Sequence, residues 1–172
     1  MEPRQFCVIL RGPAGAGKSS LAREVQRLCS SKTAVIDTDL FNWTIVPGED
    51  DKAVVYENVV WLAGNYLRHA YNVIIEGLIL SSEERGALEP LRELARHRPA
   101  SVVDFYCWVP EDEALRRNEG RDKGVNAEQI REWWELAEAD RARIQESTIE
   151  LDMTDPPETL AQRVFSVLAG QG

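Results

Sequence analysis

Short apolar runs alternate with longer amphipathic stretches along the chain. Phe6 to Leu10 is a continuous apolar run, which is typical of a strand buried on both faces of a sheet. Shorter runs of the same kind follow it, and together they predict five strands, at 6–10, 33–36, 72–75, 101–109 and 148–151. Because helical patterns separate these strands, the order of elements favours an α/β sandwich with a mainly parallel sheet.

The predicted helices occupy the segments between these strands. One begins near Lys18, another opens at Ser82, and Pro90 marks either a kink in the latter or the start of a further helix. Residues 40–50 are predicted to be a loop. The long helix that follows has one apolar stripe, formed by Val55, Val59, Leu62, Tyr66 and Ala70. Further helices are predicted at 111–117, around 130–144 and near the end of the chain, around 160–167.

The segment between the first strand and the first helix carries the most specific motif. Its sequence, Gly-Pro-Ala-Gly-Ala-Gly-Lys-Ser at 12–19, fits G-x-x-x-x-G-K-[ST] at every fixed position. The glycines allow positive φ and close backbone approach, so that successive N–H groups form an anion nest at a helix N-terminus. We expect Lys18 to reach the β- and γ-phosphates of ATP and Ser19 to ligate Mg²⁺. The predicted nucleotide-binding residues of this segment are Gly12, Pro13, Ala14, Gly15, Ala16, Gly17, Lys18, Ser19 and Ser20.

Acidic and aromatic residues follow the second and third predicted strands. Asp37 and Asp39 lie at the carboxyl end of the second strand, where ligands bind in doubly wound sheets. A carboxylate beside an acceptor hydroxyl orients it and takes its proton. Trp43 comes soon afterwards and is predicted to stack on an acceptor ring or sugar. Gly77, after the third strand, either lets the acceptor approach the backbone or is a simple turn residue.

With these motifs the chain resembles the small P-loop kinases of the nucleoside-monophosphate-kinase-like group. Within that group it is most similar to the AAA_33 branch, which contains polynucleotide kinases, chloramphenicol phosphotransferases and zeta toxins. The resemblance rests on residues 12–19, the Asp37–Asp39 pair, an arginine-bearing segment and the sequence Asp152-Met-Thr-Asp155. It implies a three-layer P-loop NTPase fold with a five-stranded sheet, ATP and Mg²⁺ as cofactors, and a helical lid at about 112–128.

The resemblance also implies roles for single residues. It favours Asp39 as the catalytic base and Asp37 as a residue that supports Asp39 or holds a magnesium-bound water, and the reverse assignment stays open. In the group, lid arginines contact the transferring phosphoryl group, and here they correspond to Arg117 and Arg121, of which Arg117 is also expected to bind nucleotide. The resemblance also implies that Asp155 lies beside the adenine. It implies that Glu76 and Gly77 lie on the acceptor side, and at the position of Glu76 the group commonly has Asp.

Length, charge and cysteine content limit the remaining function classes. A chain of 172 residues fits one domain, and we predict a single P-loop kinase domain over 1–172. The net charge of −9 opposes long-range attraction to nucleic acid or an anionic membrane, so neither is expected as a partner. Three cysteines without a C-x-x-C pair indicate no disulfides, and no apolar run approaches the ~20 residues of a membrane span. We therefore predict a cytoplasmic protein.

The sequence leaves three functions open. The first is a phosphotransferase that moves the γ-phosphoryl group of ATP to a hydroxyl of a small molecule, such as an antibiotic, a nucleoside or a sugar-like metabolite. The second is a 5′-hydroxyl polynucleotide kinase, which needs a basic channel that the acidic balance disfavours. The third is a nucleotide-dependent switch or binding module without an acceptor. The expected partner is the small-molecule acceptor, and a homodimer stays open.

Overall fold

Five parallel strands form the centre of the molecule. The structure is a computed structural model that describes residues 4–45, 51–98, 100–119 and 125–170, without the side chain of Trp43. The strand order is β2-β3-β1-β4-β5, and every pairing is parallel, which confirms the predicted fold class. The strands are β1 (Phe6–Arg11), β2 (Thr33–Asp37), β3 (Asn72–Gly77), β4 (Ser101–Trp108) and β5 (Ile149–Asp152).

Helices cover both faces of this sheet. Phe6, Val8 and Leu10 of β1 belong to one apolar cluster and Cys7 and Ile9 to another, because successive side chains of a strand point to opposite faces. The first cluster includes residues of α1 (Lys18–Leu28) and α8 (Pro157–Gly170), and the second includes residues of α3 (Lys52–Arg68) and α5 (Glu89–Arg96). All six residues of β1 are buried, as predicted for a strand enclosed on both faces.

Helix α7 (Ala127–Arg141) contacts both faces of the sheet. Near its start, Ile130 belongs to the cluster that contains α1 and α8. Near its end, the hydroxyl of Tyr106 donates a hydrogen bond to the carbonyl oxygen of Ala137 at 2.5 Å. Since Phe105 and Cys107 of β4 point into the first cluster, Tyr106 between them points to the other face. Helix α7 therefore extends from one side of the sheet to the other.

Three local predictions differ from the structure or are sharpened by it. Residues 40–45 are helical rather than a loop, since α2 (Thr38–Leu40) continues into a π-helical turn (Phe41–Ile45), while 46–50 lie outside the described residues. Of the two readings of Pro90, the start of a further helix is correct: α4 (Ser82–Ala87) ends before it and α5 begins at Glu89. Helix α6 (Glu111–Glu119) is two residues longer than predicted.

The predicted stripe of α3 was wrong in its second half. Ala70 is exposed beyond the end of the helix, and Leu62 and Tyr66 are only partly buried. The core-facing positions are instead Val55, Tyr56, Val59, Ala63, Gly64 and Leu67. Apolar residues stand at both sets of positions, so the pattern alone did not decide which set faces the sheet. Among the described residues, no helix is both long and apolar enough to cross a membrane.

Candidate active site

The loop between β1 and α1 folds as an anion cradle. Gly12, Gly15 and Gly17 have φ angles of 136°, 77° and 95°, which L-residues with side chains rarely adopt. A Cβ at Gly12 would lie 2.2 Å from the carbonyl oxygen of Cys107, and one at Gly15 would lie 2.6 Å from that of Ala114. The glycines are thus required by backbone packing beneath the loop as well as by its turn. This geometry fits the predicted binding of a phosphate chain.

Lys18 lies against this loop. Its side chain is 7% exposed, and Nζ donates hydrogen bonds to the carbonyl oxygens of Gly12 at 3.0 Å and Pro13 at 2.7 Å. Helix α1 begins at Lys18 with Gly17 as its N-cap residue, so the N–H groups of its first turn face the loop. Burial raises the pKa values of Asp39 and Glu76, and the Lys18 ammonium partly offsets both increases, so all three groups share one electrostatic neighbourhood.

Three carboxylates lie at the carboxyl ends of the adjoining strands. Asp37 ends β2 and pairs in register with Glu76 of β3. Asp37 also caps α2 by accepting a hydrogen bond from the backbone N–H of Asp39 at 2.9 Å. Burial raises the pKa of Asp39, with a further increase from the charge of Asp37 that Lys18 partly offsets. The structure thus brings the predicted catalytic pair together, with Asp39 within electrostatic reach of Lys18.

Glu76 connects this cluster to the phosphate loop. Its side chain is 5% exposed, and burial raises its pKa, while a hydrogen bond with the Ser19 side chain and the charge of Lys18 lower it. A link between Glu76 and the predicted magnesium ligand Ser19 was not part of the sequence prediction. Together with Asp37 these residues offer only oxygen atoms, the donors that Mg²⁺ prefers.

The described residues do not form a complete metal cage. No group of three or more His, Cys, Asp and Glu side chains in the described ranges is arranged to hold a metal ion. This agrees with Mg²⁺ in nucleotide sites, which is commonly held by one or two protein ligands, water and substrate phosphates. Ser19 and Asp37 offer a hydroxyl and a carboxylate oxygen that could serve as partial Mg²⁺ ligands, and that role stays a prediction.

Two residues of the acceptor side escaped the sequence prediction. Tyr56 of α3 is buried, and its pKa is raised first by burial and then by the charges of Glu84 and Asp39, with a hydrogen bond to Glu84 adding to the increase. Glu84 and Asp39 are therefore both near enough to act on Tyr56. Tyr56 lies four residues before Val60 and seven before Ala63, a spacing that gave only a weak signal of burial. The second residue is Thr38, whose Oγ1 would lie 1.9 Å from a Cβ on Gly77, so Thr38 fills the space that Gly77 leaves.

A cavity of about 300 Å³ lies on the other side of the loop. The Arg117 guanidinium borders it and donates to the carbonyl oxygens of Ala16 and Met153, both at 2.9 Å, while Nε donates to Glu113 at 2.6 Å. The cavity thus brings together Arg117, which was predicted to bind nucleotide, Asp155, which was predicted to lie beside the adenine, and part of the loop. Its lining includes Gly15, Ala16, Gly17, Ser20, Arg117 and Asp155.

The remaining predicted site residues have different outcomes. Pro13 and Ala14 lie within the loop as expected, and Ala14 packs against the core cluster of α1 and α8. Arg121 and the side chain of Trp43 lie outside the described residues. The contacts of Arg117 favour a place beside the nucleotide pocket, and its predicted catalytic contact with the transferring phosphoryl group stays a prediction.

Comparison with known proteins agrees with this geometry. A family model described as an AAA domain, AAA_33, matches residues 7–146. Among solved structures, a sugar kinase from Janibacter sp. HTCC2649 is 19% identical with a TM-score of 0.68, covering 98% of each chain. A gluconokinase from Sinorhizobium meliloti 1021 is 17% identical with a TM-score of 0.69, covering 99% of this chain and 95% of the other.

A third structure contains ligands. The Mycobacterium tuberculosis APS kinase CysC, in complex with AMPPNP and APS, is 20% identical with a TM-score of 0.68, covering 96% of this chain and 98% of the other. No curated protein matches the chain. At these identities the structural comparisons establish the fold, and the family model covers most of the chain. The chain therefore belongs to the AAA_33 family, and it has the fold of the small P-loop kinases.

Proposed function

We propose that this protein is an ATP-dependent phosphotransferase that moves the γ-phosphoryl group to a hydroxyl of a small molecule. The observation that carries the proposal is the position of Asp39 and Glu76 within the electrostatic reach of Lys18, across from the phosphate loop. A nucleotide-binding module without an acceptor can use a carboxylate at the end of β3 for magnesium, so the additional carboxylate of Asp39 is what favours a phosphoryl acceptor. The kinases of similar fold support the same conclusion.

Different residues of the site have separate roles in in-line phosphoryl transfer. The acceptor oxygen attacks the γ-phosphorus, a new O–P bond forms, and the bond to the β-phosphate oxygen breaks to release ADP. Asp39 orients the hydroxyl and takes its proton, a role that its raised pKa suits by making it a better base than an exposed aspartate. The loop amides and Lys18 hold the phosphates and offset the charge that develops between them.

Mg²⁺ would be held by the Ser19 hydroxyl, by Asp37 directly or through water, and by the phosphates. When bound, it neutralises phosphate charge and lowers the cost of bringing ATP to a carboxylate-rich cleft. Glu76 would orient Ser19 through their hydrogen bond. On the adenine side, Arg117 and Asp155 border the cavity that the base would occupy.

The acceptor side is suited to a hydroxyl compound without negative charge. Asp37, Asp39 and Glu76 act on one another electrostatically, and these like charges would repel a carboxylate, sulfate or phosphate of an acceptor bound beside Asp39. Leu40 and Ile45 in the adjoining helical segment are 51% and 57% exposed and offer apolar contact. We therefore propose a neutral or cationic hydroxyl compound with an apolar portion, and a polyanionic 5′-hydroxyl polynucleotide is the less supported alternative.

The test is acceptor-stimulated release of ADP. Purified protein with ATP and Mg²⁺ is incubated with hydroxyl compounds grouped as neutral, cationic and anionic, and with single-stranded oligonucleotides, and ADP is quantified. Stimulation by a neutral or cationic compound supports the proposal. Stimulation by oligonucleotides alone would establish the polynucleotide reading, and ATP binding without stimulation by any group would favour the switch.

Replacement of Lys18 by alanine tests the donor half of the site. Lys18→Ala is expected to lower transfer about 100-fold or more, because it removes a positive charge from the β- and γ-phosphates. The matched control is Lys32→Ala, since Lys32 is exposed and its ammonium lies over the ring of Tyr71, away from the loop. Undiminished turnover in Lys18→Ala would contradict the nucleotide assignment.

A further inference from the structure

A buried cluster of opposite charges lies directly behind the phosphate loop. Arg11, the last residue of β1, is 1% exposed, and its Nε donates to the two carboxylate oxygens of Asp104 at 2.9 and 3.0 Å. Its Nη1 donates to Asp140 Oδ2 at 2.6 Å. Thr148 completes the cluster, because its hydroxyl donates to Asp104 at 2.9 Å and accepts from Arg11 at 3.4 Å. None of these groups has a role in the transfer chemistry proposed above.

Asp140 is shared between two arginines. Its Oδ2 accepts from Arg11, and its Oδ1 forms an ion pair with Arg85 of α4. The Asp140 side chain is 4% exposed, whereas that of Arg85 is 21% exposed. One carboxylate near the end of α7 thus joins the strand that leads into the phosphate loop to a helix on the other side of the cleft.

On the donor side this link reaches the loop by two routes. The first is the backbone, since Arg11 directly precedes Gly12. The second is packing, since α7 contacts α6, and Ala114 of α6 abuts Gly15 so closely that a Cβ there would lie 2.6 Å from its carbonyl oxygen. A shift of α7 would therefore displace the loop at its beginning, Gly12, and in its middle, Gly15.

On the acceptor side the link reaches Asp39. Arg85 follows Glu84 in α4, and the Glu84 carboxylate accepts hydrogen bonds from the backbone N–H groups of Leu80 and Ser81 at 2.8 and 2.9 Å. Glu84 also bonds to Tyr56, and Asp39 is near enough for its charge to act on Tyr56. The link thus runs through ion pairs from Arg11 to Arg85, along the backbone of α4 to Glu84, and through a hydrogen bond to Tyr56, within electrostatic reach of Asp39.

We propose that Asp140 and Arg85 are positioning residues that couple the nucleotide half of the cleft to the acceptor half. Nucleotide bound at the loop fixes Arg11 and α7, and the shared carboxylate carries that restraint to α4 and its neighbours. Coupling of this kind requires a physical element that both sites bias, and here that element is the ion-paired end of α7. The inference rests on the proposed function, because it assumes that the loop binds a nucleoside triphosphate.

The experiment measures whether nucleotide binding is transmitted to α4. Amide hydrogen exchange of residues 81–87 is followed with and without AMPPNP and Mg²⁺, and the affinity of AMPPNP is measured separately by calorimetry. In the unmodified protein we expect AMPPNP to slow exchange in this segment by about 2- to 30-fold, the range of typical coupling energies. In Arg85→Ala we expect the slowing to disappear while the affinity changes less than about threefold.

Two further variants separate coupling from stability. Glu150→Gln is the matched control, because it removes an exposed ion pair with Arg141 at the same end of α7, at 2.7 Å, and it should leave the transmitted slowing intact. Asp140→Asn breaks both arginine contacts and should abolish the slowing, provided that its circular dichroism matches the unmodified protein. If it fails to fold, Arg85→Ala decides the question, because Arg11 and Asp104 keep their contacts in that variant.

The outcomes distinguish this inference from the proposed function. Absence of AMPPNP binding to the unmodified protein would overturn the proposed function itself. Binding without slower exchange at 81–87, or equal slowing in Arg85→Ala, would overturn the coupling and leave the proposed function standing. Loss of the slowing in Glu150→Gln as well would also overturn it, because the effect would then follow any perturbation of α7.

Discussion

Under the proposed function, Asp39 lies where the phosphate chain of ATP and the acceptor hydroxyl meet. The charges of Asp37 and Lys18 both act on the pKa of its carboxyl group, and its backbone N–H donates a hydrogen bond to the Asp37 side chain. The short helix that Asp37 caps therefore fixes where Asp39 lies relative to the phosphate loop. Asp37 is exposed whereas Asp39 is partly buried, which favours the proposed role of Asp39 as the base, and both assignments stay predictions.

Replacement of Asp39 by asparagine separates chemistry from binding. Asp39→Asn is expected to lower kcat about 100- to 10,000-fold, because the amide cannot accept the acceptor's proton. The affinity for ATP, measured by calorimetry, should stay within a few-fold of that of the unmodified protein. Glu57→Gln, on an exposed position of α3, serves as the control. Loss of ATP binding in Asp39→Asn, with Asp37→Asn unaffected, would reverse the two assignments.

Gly77 offers a second test at the scale of one residue. Gly77→Ala would place a methyl group 1.9 Å from Thr38 Oγ1 and force β3 and α2 apart. We expect a loss of about 1–3 kcal/mol in the free energy of unfolding, measured by urea denaturation. Thr38→Ala in the same chain removes the clashing oxygen and should restore part of that loss. No difference between Gly77→Ala and the unmodified protein would show that the strand ends move apart freely.

Single residues also mark the limit of prediction from sequence. The loop residues were predictable because their spacing is fixed by local backbone geometry, which the sequence encodes directly. Thr38 and Tyr56 were not, because their places beside Gly77 and Asp39 arise only when β2, β3 and α3 pack together. The buried cluster around Arg11 was missed for the same reason, since Asp104 and Asp140 are 93 and 129 residues away in the chain.

At the scale of elements, the start of α4 is held by a reciprocal cap. Ser81 Oγ accepts from the backbone N–H of Glu84 at 3.1 Å, and the Glu84 carboxylate accepts from the backbone N–H of Ser81. Because Glu84 also bonds to Tyr56, the cap that begins α4 also holds the carboxylate that contacts Tyr56 of α3. Strand and helix order could be predicted from the apolar pattern, whereas this dual use of Glu84 depends on contact with α3.

Removal of the cap should affect stability and catalysis together. Ser81→Ala is expected to lower the free energy of unfolding by about 1 kcal/mol, because it leaves the Glu84 N–H without its acceptor. It should also raise KM for the acceptor, because Glu84 loses its fixed position beside Tyr56. Ser166→Ala is the control, since that hydroxyl bonds only to an exposed turn of α8. Loss of stability with an unchanged KM would show that Glu84 does not shape the acceptor side.

The whole molecule carries a net charge of −9, and its acceptor cleft adds local carboxylates to that background. Long-range repulsion of this kind slows the approach of anions and is screened by salt over about 8–10 Å at moderate ionic strength. The net charge could be predicted from composition. The grouping of carboxylates at the ends of β2 and β3 could not, because it depends on how the strands pair. The proposed function therefore predicts that the charge of a hydroxyl compound influences whether it is phosphorylated.

Salt dependence tests this selectivity. For a neutral acceptor and its carboxylated analogue, kcat/KM is measured from about 20 to about 300 mM salt. The anionic analogue should be the poorer substrate at low salt, and its disadvantage should shrink as screening increases. An uncharged glycol added at matched osmolarity controls for effects other than screening. A disadvantage that does not change with salt would indicate steric rather than electrostatic exclusion.

Lys18 has a consequence for how the donor enters. Its ammonium already donates to Gly12 and Pro13, so an arriving triphosphate must win this cation from the carbonyls of the same loop. Under the proposed function, nucleotide capture is then an exchange of hydrogen-bond partners for the Lys18 ammonium. The affinity for the phosphate chain would report the difference between phosphate and carbonyl oxygens as partners of this ammonium, and not the full strength of the new contact.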